Sequence, residues 1–264
     1  MKSKRSLKQK GGQACLISYC TVSTKDTPEL QRLKKSAEKY EWKLDVLGME
    51  QNSDKFGWGD GGNFSIKLIK QIEYVATKNY DDIVLFTDAW DVICIGNCAT
   101  LYEKFMSFNK DLVFGAEKMC APDEGKASLY KTENVEFKYL NSGFFIGKAG
   151  VIKKYLEQYK NEKINDQLFW TNIYLENQDA IALDTNATLV LNLWDTDMNA
   201  YKIDNGFTYT ITNTQPVFIH ANGLIKERLN LFTHLLQGGY NKYRKNKMRK
   251  NKTKKTRKHL RNRF

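Results

Sequence analysis

One stretch of the sequence decides the fold, Ile83-Val84-Leu85-Phe86-Thr87-Asp88-Ala89-Trp90-Asp91. Its first four residues are apolar and rich in β-branched and aromatic side chains, a pattern typical of a parallel strand buried on both faces. Asp88 and Asp91 come at the end of this strand, where open α/β sheets bind their ligands. Two carboxylates in that place suit a hard divalent cation such as Mg²⁺ or Mn²⁺. The alternative is that Asp88 is a turn or cap residue and Asp91 a solvated loop charge.

The segments before this strand read as strand, helix and strand. Residues 15–22 are mostly apolar, and Thr27-Pro28-Glu29 predicts a helix start because proline favours the first helical position. The helix runs to about Tyr40, and residues 43–48 alternate like a second strand. This order implies a parallel pair joined by a right-handed crossover.

The segments after Asp91 continue the alternation, so we expect an α/β fold with a central, mostly parallel sheet. The long polar stretch 117–139 is expected to be irregular, and Asn141-Ser142-Gly143 to form a tight turn. Helices are predicted over residues 66–75, 99–108, 149–163 and 166–175, and strands over 112–116, 140–147, 181–184, 188–194, 209–212 and 216–220.

Charge divides the chain into a body and a tail. The 264 residues have a formal net charge of +12, yet residues 242–264 alone hold thirteen Lys or Arg and no acid, so the body is nearly neutral. We expect a basic extension over 1–13, one domain over 14–240 and a disordered basic tail over 241–264. No apolar run suits a signal peptide or a membrane span, which predicts a cytoplasmic location.

The five cysteines, an odd number spread through the chain, do not indicate a disulfide framework. Cys94 and Cys98 have a zinc-like spacing, but no second Cys or His pair completes four ligands. We therefore interpret both as reduced thiols.

Three further features are candidates for function. The glycine-rich loop 52–63 precedes a helix that carries Lys67 and is suited to cradle phosphate, although a mobile lid or a plain linker fits equally well. Asp166 begins a predicted helix, where a simple N-cap is the alternative, worth about 1 kcal/mol. His220 ends a predicted strand, where a structural histidine is the alternative.

Four motifs follow one another along the chain: Phe86-Thr87-Asp88-Ala89-Trp90-Asp91, Leu140-Asn141-Ser142-Gly143, Asp166-Gln167-Leu168-Phe169 and His220-Ala221-Asn222-Gly223. In this order and at these intervals they resemble the glycosyltransferase domain of the procollagen lysyl hydroxylases, a family whose relatives include procollagen galactosyltransferases and glycosyltransferases of large DNA viruses. Residues 21–25 also match the first strand and turn of that domain, and the resemblance covers about residues 14–240. It suggests a stand-alone version of the domain, of the viral type.

The resemblance implies a GT-A type, Rossmann-like fold that uses Mn²⁺ and UDP-glucose or UDP-galactose, with a glycan or protein hydroxyl such as a hydroxylysine glycan as acceptor. It assigns the metal to Asp88, Asp91 and His220, and catalysis to Asp166 and Asn141. Trp90 would face the uracil beside Val22 and Thr24, and Lys67 and Lys226 would lie near the diphosphate. The implied donor-binding residues are Val22, Thr24, Trp58, Lys67, Trp90, Asn222, Gly223 and Lys226.

The sequence departs from this family at two positions. Asn165 replaces one of a pair of acidic residues beside the transferred sugar, and Ala121 stands where the hydroxylases carry a tryptophan. Both departures concern the side of the site that meets the sugar and acceptor.

Two other functions remain open. A degenerate domain would only bind a sugar nucleotide or glycan, although Asp88, Asp91 and His220 are all present. The second is a nucleic-acid-binding protein, in which the basic tail would bind the phosphate backbone through counterion release, or would contact another polyanion or acidic lipid. Against it, the nearly neutral body has no recognisable nucleic-acid-binding module.

Overall fold

A computed structural model describes residues 16–50, 65–160, 163–197, 199–203, 206–223 and 228–234. These residues form one large sheet between two helical layers, with two smaller sheets beside it. The strands are β1 (Ile17–Val22), β2 (Leu44–Leu47), β3 (Ile83–Thr87), β4 (Val92–Cys94), β5 (Leu112–Glu117), β6 (Tyr139–Lys148), β7 (Ala182–Asp184), β8 (Val190–Asn192), β9 (Tyr201–Ile203), β10 (Phe207–Tyr209) and β11 (Phe218–His220). The helices are α1 (Pro28–Lys39), α2 (Ser65–Val75), α3 (Cys98–Ser107), α4 (Ala149–Leu156), α5 (Asp166–Glu176) and α6 (Arg228–His234).

The six-stranded sheet has the order β2-β1-β3-β6-β5-β7. β1 is parallel to β2 and β3, and β5 is parallel to β7, whereas β6 is antiparallel to both of its neighbours. The predicted α/β class with a mostly parallel sheet is therefore confirmed, and so is the strand–helix–strand opening.

Local sequence explains how these elements start and pack. Thr27 caps α1, since its Oγ1 accepts a hydrogen bond from Leu30 N at 3.2 Å, and Pro28 takes the first helical position as predicted. All five residues of β3 are buried, as a central strand requires. Helices α1 and α3 cover one face of the sheet, and α2, α4 and α5 cover the other.

The predicted turn at Asn141-Ser142-Gly143 is wrong, because these residues lie within β6. Phe114 of β5 pairs with Phe145, but the next residue, Gly115, pairs with Asn141. Residues 142–144 are therefore extra on the β6 side and form a bulge, which re-aims side chains at the end of the sheet.

A small sheet of order β4-β11-β8 stands beside the end of β3. β11 is antiparallel to β4 and parallel to β8, with His220 opposite Val92 and Asn192. The sequence analysis predicted β8 and β11 but missed β4. The helix predicted over 149–163 ends at Leu156, and the edge strand predicted over 209–212 is instead β10, which pairs with β9.

The cysteine interpretation is half right. Cys94 is a free, buried thiol, and burial raises its pKa to about 12. Cys98 takes part in a disulfide bond, so the prediction of a reduced thiol is wrong there.

Several predicted segments lie outside the described residues: the extension 1–13, the glycine-rich loop 52–63 and the tail 241–264. Their predictions stay predictions. Among the residues that the structure does describe, no helix has the length and apolar character to cross a bilayer.

Asp184, at the end of β7, is a buried carboxylate on which the following segment depends. Its Oδ1 accepts from Thr188 N at 2.7 Å, and its Oδ2 accepts from Leu189 N at 2.6 Å and Val190 N at 3.0 Å. Burial raises the pKa of Asp184 to about 6, and these amides act against the rise.

Asp184→Asn would set an NH₂ group against backbone donors, so we expect a loss of about 3 kcal/mol in the free energy of unfolding. Urea melts of this variant and of exposed Asp179→Asn as the control would test the prediction; equal stability of the two would contradict it.

Candidate active site

Asp88, Asp91 and His220 meet at the carboxyl end of β3. Asp88 N donates to Gly143 O at 2.9 Å, and Ala221 N donates to Asp91 O at 2.8 Å. β4 directly follows Asp91 in the chain and pairs with β11, so His220 at the end of β11 lies next to the two aspartates. The structure thus brings the three predicted metal ligands together.

The three side chains are close enough to share one cation. His220 Nε2 lies 3.5 Å from Asp91 Oδ1 and 3.8 Å from Asp88 Oδ2. One ligand atom from each residue lies within 4.8 Å of the others. His220 is buried, whereas the aspartate side chains keep 20% and 13% of their surface exposed, so the cluster opens toward solvent on the carboxylate side.

Asn192 of β8 sets the orientation of the imidazole. Asn192 Nδ2 donates to Ala116 O at 2.7 Å, which leaves Asn192 Oδ1 to accept from His220 Nδ1, also at 2.7 Å. His220 Nε2 is then the ring nitrogen that faces the carboxylates, and it would bind a cation once its proton is lost. Burial lowers the pKa of His220, but the charge of Asp91 and then of Asp88 raises it, and the net direction is upward. Two carboxylates and an oriented imidazole are a donor set that can hold a divalent metal cation, Mn²⁺ among them.

Gly143 makes room for this cluster. A Cβ at residue 143 would lie 2.3 Å from His220 Cε1 and 2.9 Å from Asp88 Oδ2. Any side chain at that place would displace a metal-candidate residue, so the bulge of β6 requires glycine.

A cavity of about 390 Å³ lies beside the cluster and includes Asp88, Asp91 and His220 in its wall. Its other polar wall residues include Asp166, Asn141 and Asn222. This volume is in the range of small-ligand sites. A second cavity, of about 650 Å³, opens near Tyr80 and Lys148 at the opposite end of β3 and has none of these residues in its wall.

Asp166 is the first residue of α5, and its carboxylate is buried in the cavity wall. The N-cap is Asn165, whose Oδ1 accepts from Gln167 N and Leu168 N at 2.9 and 3.2 Å, so the interpretation of Asp166 as the cap is wrong. Ser142 Oγ donates to Asp166 Oδ2 at 2.8 Å. Burial raises the pKa of Asp166, and the nearby charge of Lys67 only partly offsets it.

Lys67 of α2 reaches the same wall, where its Nζ lies 2.7 Å from Asp88 Oδ1 and 3.5 Å from Asp166 Oδ2. The side chain is 7% exposed. A cation therefore connects one metal candidate with the candidate catalytic carboxylate.

Glu117, the last residue of β5, holds three amide side chains of the site and was missed by the sequence analysis. Its Oε1 accepts from Asn141 Nδ2 and Gln167 Nε2, both at 2.9 Å, and its Oε2 accepts from Asn222 Nδ2 at 2.7 Å. Burial raises the pKa of Glu117, and these hydrogen bonds oppose the rise. Asn141, a predicted catalytic residue, thus has its amide nitrogen directed at Glu117, and its Oδ1 accepts from Gly143 N at 3.0 Å.

Asn222 and Gly223 shape the cavity next to Trp194. Asn222 Oδ1 accepts from Trp194 N at 3.0 Å. Gly223 has a φ of +76°, and a Cβ there would lie 2.7 Å from the Trp194 ring. Only glycine satisfies both the backbone conformation and this close approach.

The residues predicted around the base lie at the ends of β1 and β3. Trp90 Nε1 donates to Ser23 Oγ at 3.1 Å, so the indole stands at the segment between Val22 and Thr24. Arg32 of α1 donates to Trp90 O at 2.8 Å and fixes the loop. Trp58 and Lys226 lie outside the described residues.

Comparison with known proteins identifies the family of the chain. Residues 14–246 match the family model described as the PLOD GT domain. The chain is 32% identical over 239 residues to the multifunctional procollagen lysine hydroxylase and glycosyltransferase LH3 of Rattus norvegicus, and 30% identical over 240 residues to a procollagen-lysine,2-oxoglutarate 5-dioxygenase of Drosophila melanogaster. These alignments cover 83% and 85% of this chain, but it spans only about a third of each relative (31% and 33%).

Among solved structures, the galactosyltransferase LgtC in complex with donor and acceptor sugar analogues is 15% identical with a TM-score of 0.46, covering 81% of this chain and 94% of that one. A glycosyltransferase involved in glycosylation of the major capsid of PBCV-1 is 14% identical with a TM-score of 0.43, covering 84% and 98%. The family assignment rests on the sequence matches: the chain belongs to the PLOD GT domain family of glycosyltransferases.

Proposed function

We propose that the chain transfers glucose or galactose from a UDP-sugar to a hydroxyl acceptor, in a GT-A type reaction that depends on Mn²⁺. The observation that carries this proposal is the cluster of Asp88, Asp91 and His220 on the wall of a cavity that also contains Asp166. When bound, Mn²⁺ would supply positive charge where the leaving diphosphate becomes negative. The acceptor is a glycan or a protein hydroxyl, such as a hydroxylysine glycan.

Different residues of the chain would bind the metal and the donor and act on the acceptor. Asp88, Asp91 and His220 would hold the cation. Trp90, with Val22 and Thr24, would hold the base at the ends of β1 and β3, while Asn222 and Gly223 shape the donor side next to Trp194. Of the two lysines expected at the diphosphate, Lys67 already contacts two carboxylates.

Asp166 would orient the acceptor hydroxyl and take up its proton. A general base needs its carboxylate within reach of the substrate, and Asp166 lies in the cavity wall with Oδ2 held by Ser142. Asn165, at the family's second acidic position, uses its side-chain oxygen to cap α5. Asp166 therefore stands as the single acid of the pair.

The experiment that tests this function is a screen of UDP-sugars for Mn²⁺-dependent hydrolysis, followed by a search for acceptors by mass spectrometry. Hydrolysis of UDP-glucose or UDP-galactose in Mn²⁺ that disappears in a chelator would support the proposal. Binding of UDP without turnover of any sugar would instead favour the degenerate, binding-only domain. A chain that neither binds nor hydrolyses a nucleotide sugar would refute the proposal.

Asn192 provides a prediction about the metal itself. Asn192→Leu removes the acceptor that orients His220, so we expect Mn²⁺ affinity to fall about 10–100-fold, the usual effect of losing such a partner. Asn192→Asp is the matched control, because it keeps an oxygen against His220 Nδ1 and should bind Mn²⁺ more tightly than the leucine variant. Calorimetric titration with Mn²⁺ measures both; equal affinities would show that the Asn192–His220 hydrogen bond does not matter for the metal.

Deletion of residues 241–264 separates the tail from the catalyst. The shortened chain should fold and keep donor hydrolysis within about twofold, because every described element ends before residue 241. If the full chain binds nucleic acid or another polyanion, the deletion should remove most of that affinity and its salt dependence. Loss of the fold or of donor hydrolysis on deletion would place the domain boundary beyond residue 240.

A further inference from the structure

Lys67 is a buried cation between two carboxylates that the proposed reaction uses for different purposes. Its Nζ lies 2.7 Å from Asp88 Oδ1 and 3.5 Å from Asp166 Oδ2, and the side chains of Lys67 and Asp166 are only 7% and 4% exposed. Removing one partner of a buried ion pair is strongly destabilising, since the other charge is left uncompensated. The protein thus needs the charge of Lys67 before any ligand arrives.

The contact with Lys67 determines which oxygen of Asp88 and which oxygen of Asp166 faces the ammonium group. Asp88 turns Oδ1 to Lys67, which leaves Oδ2 on the side of His220 Nε2, 3.8 Å away. Asp166 turns Oδ2 to both Lys67 and Ser142 Oγ. The ammonium therefore fixes which oxygen of Asp88 faces the metal cluster and where the carboxylate of Asp166 stands relative to it.

We infer that Lys67 is a positioning residue, which holds Asp88 and Asp166 at a fixed separation and acts on the donor only through them. This role replaces the direct contact with the diphosphate that the family resemblance implies. The reading of Asp88 and Asp166 as metal ligand and base rests on the proposed function. The pairing of Lys67 with both carboxylates does not, so the two ideas can fail separately.

The first test is thermal and needs no substrate. Lys67→Met leaves Asp166 buried without its cation, and we expect Tm to fall by about 10 °C. Adding Asp166→Asn removes that charge and should restore at least about half of the loss. Lys70→Met is the matched control, because Lys70 is also buried on α2 but its partners Glu50 and Glu73 are exposed. Asp166→Asn should not rescue the control, and absence of rescue in the Lys67 variant would overturn the inference.

The second test distinguishes positioning from direct contact with the donor. The affinity of UDP in saturating Mn²⁺ is compared between Asp166→Asn and the double variant Lys67→Met/Asp166→Asn, so that the measurement stands even if Lys67→Met alone does not fold. A positioning role predicts values within about threefold of each other. A direct ligand of the diphosphate predicts binding weakened at least about tenfold in the double variant, which would refute the inference.

The third test uses kinetics. Lys67→Arg keeps the charge but changes the shape of the cation, so Asp166 is displaced. Positioning predicts that kcat falls at least about tenfold while KM for the donor stays within about threefold. A change confined to KM would overturn the inference. If the wild-type chain binds no UDP at all, the proposed function fails, whereas the thermal rescue still decides the pairing of Lys67.

Discussion

Asp91→Ala is expected to lower Mn²⁺-stimulated turnover of the UDP-sugar by at least about 10³-fold while the fold stays intact. The Asp91 carboxylate lies 3.5 Å from His220 Nε2 and is partly exposed, so its loss removes a metal ligand without opening a cavity in the core. Donor hydrolysis as a function of Mn²⁺ concentration, together with a thermal melt, measures the two effects.

Asp88→Ala should have the same effect on turnover, but it also deprives Lys67 of a partner, so its melting temperature should fall as well. Asp91 is the cleaner variant for this reason. Asp111→Ala is a suitable control, since that carboxylate pairs with Lys148 at the opposite end of the sheet. Full Mn²⁺-stimulated activity in the Asp91 variant would remove the metal assignment.

Asp166→Asn is expected to lower sugar transfer by about 10²–10⁴-fold while UDP and Mn²⁺ still bind. The amide has nearly the same volume, and its oxygen can still accept from Ser142 Oγ. Helix α5 keeps its cap because that role belongs to Asn165. Lys67 also keeps its closer partner, Asp88 Oδ1 at 2.7 Å, so its charge is not left uncompensated and stability is not expected to explain the loss.

The informative comparison is the rate of transfer against the affinity for UDP in this one variant. A loss of UDP affinity equal to the loss of rate would mean that Asp166 serves donor binding. Transfer near the wild-type rate would return Asp166 to a structural role and leave the site without a named base among the described residues.

The sequence predicted what depends on local pattern. The apolar run of β3 and the Thr27–Pro28 start of α1 gave the right elements, because burial and capping act on neighbouring residues. Glu117 was missed because the strand was ended at Ala116, one residue early. The reasoning that selected Asp88 at the end of a strand applies equally to Glu117 at the end of β5.

What the sequence could not predict depends on pairing between distant segments. β4 is only three residues long, and its partner β11 lies near the other end of the described chain. The bulge at Ser142–Phe144 and the hydrogen bond of Asn192 to His220 appear only when such segments are in register. The resemblance identified the three metal candidates in advance; their mutual geometry required the structure.

The pairing of β4 with β11 has a consequence for how the protein is made. During synthesis the two aspartates emerge directly after β3, but His220 emerges only after all the other described strands. Closing so long a loop is slow compared with local contacts, so the complete three-ligand site should be among the last parts of the nascent chain to form. A cation that binds only the finished site would then stabilise the docked C-terminal strand by mass action and not the earlier intermediates.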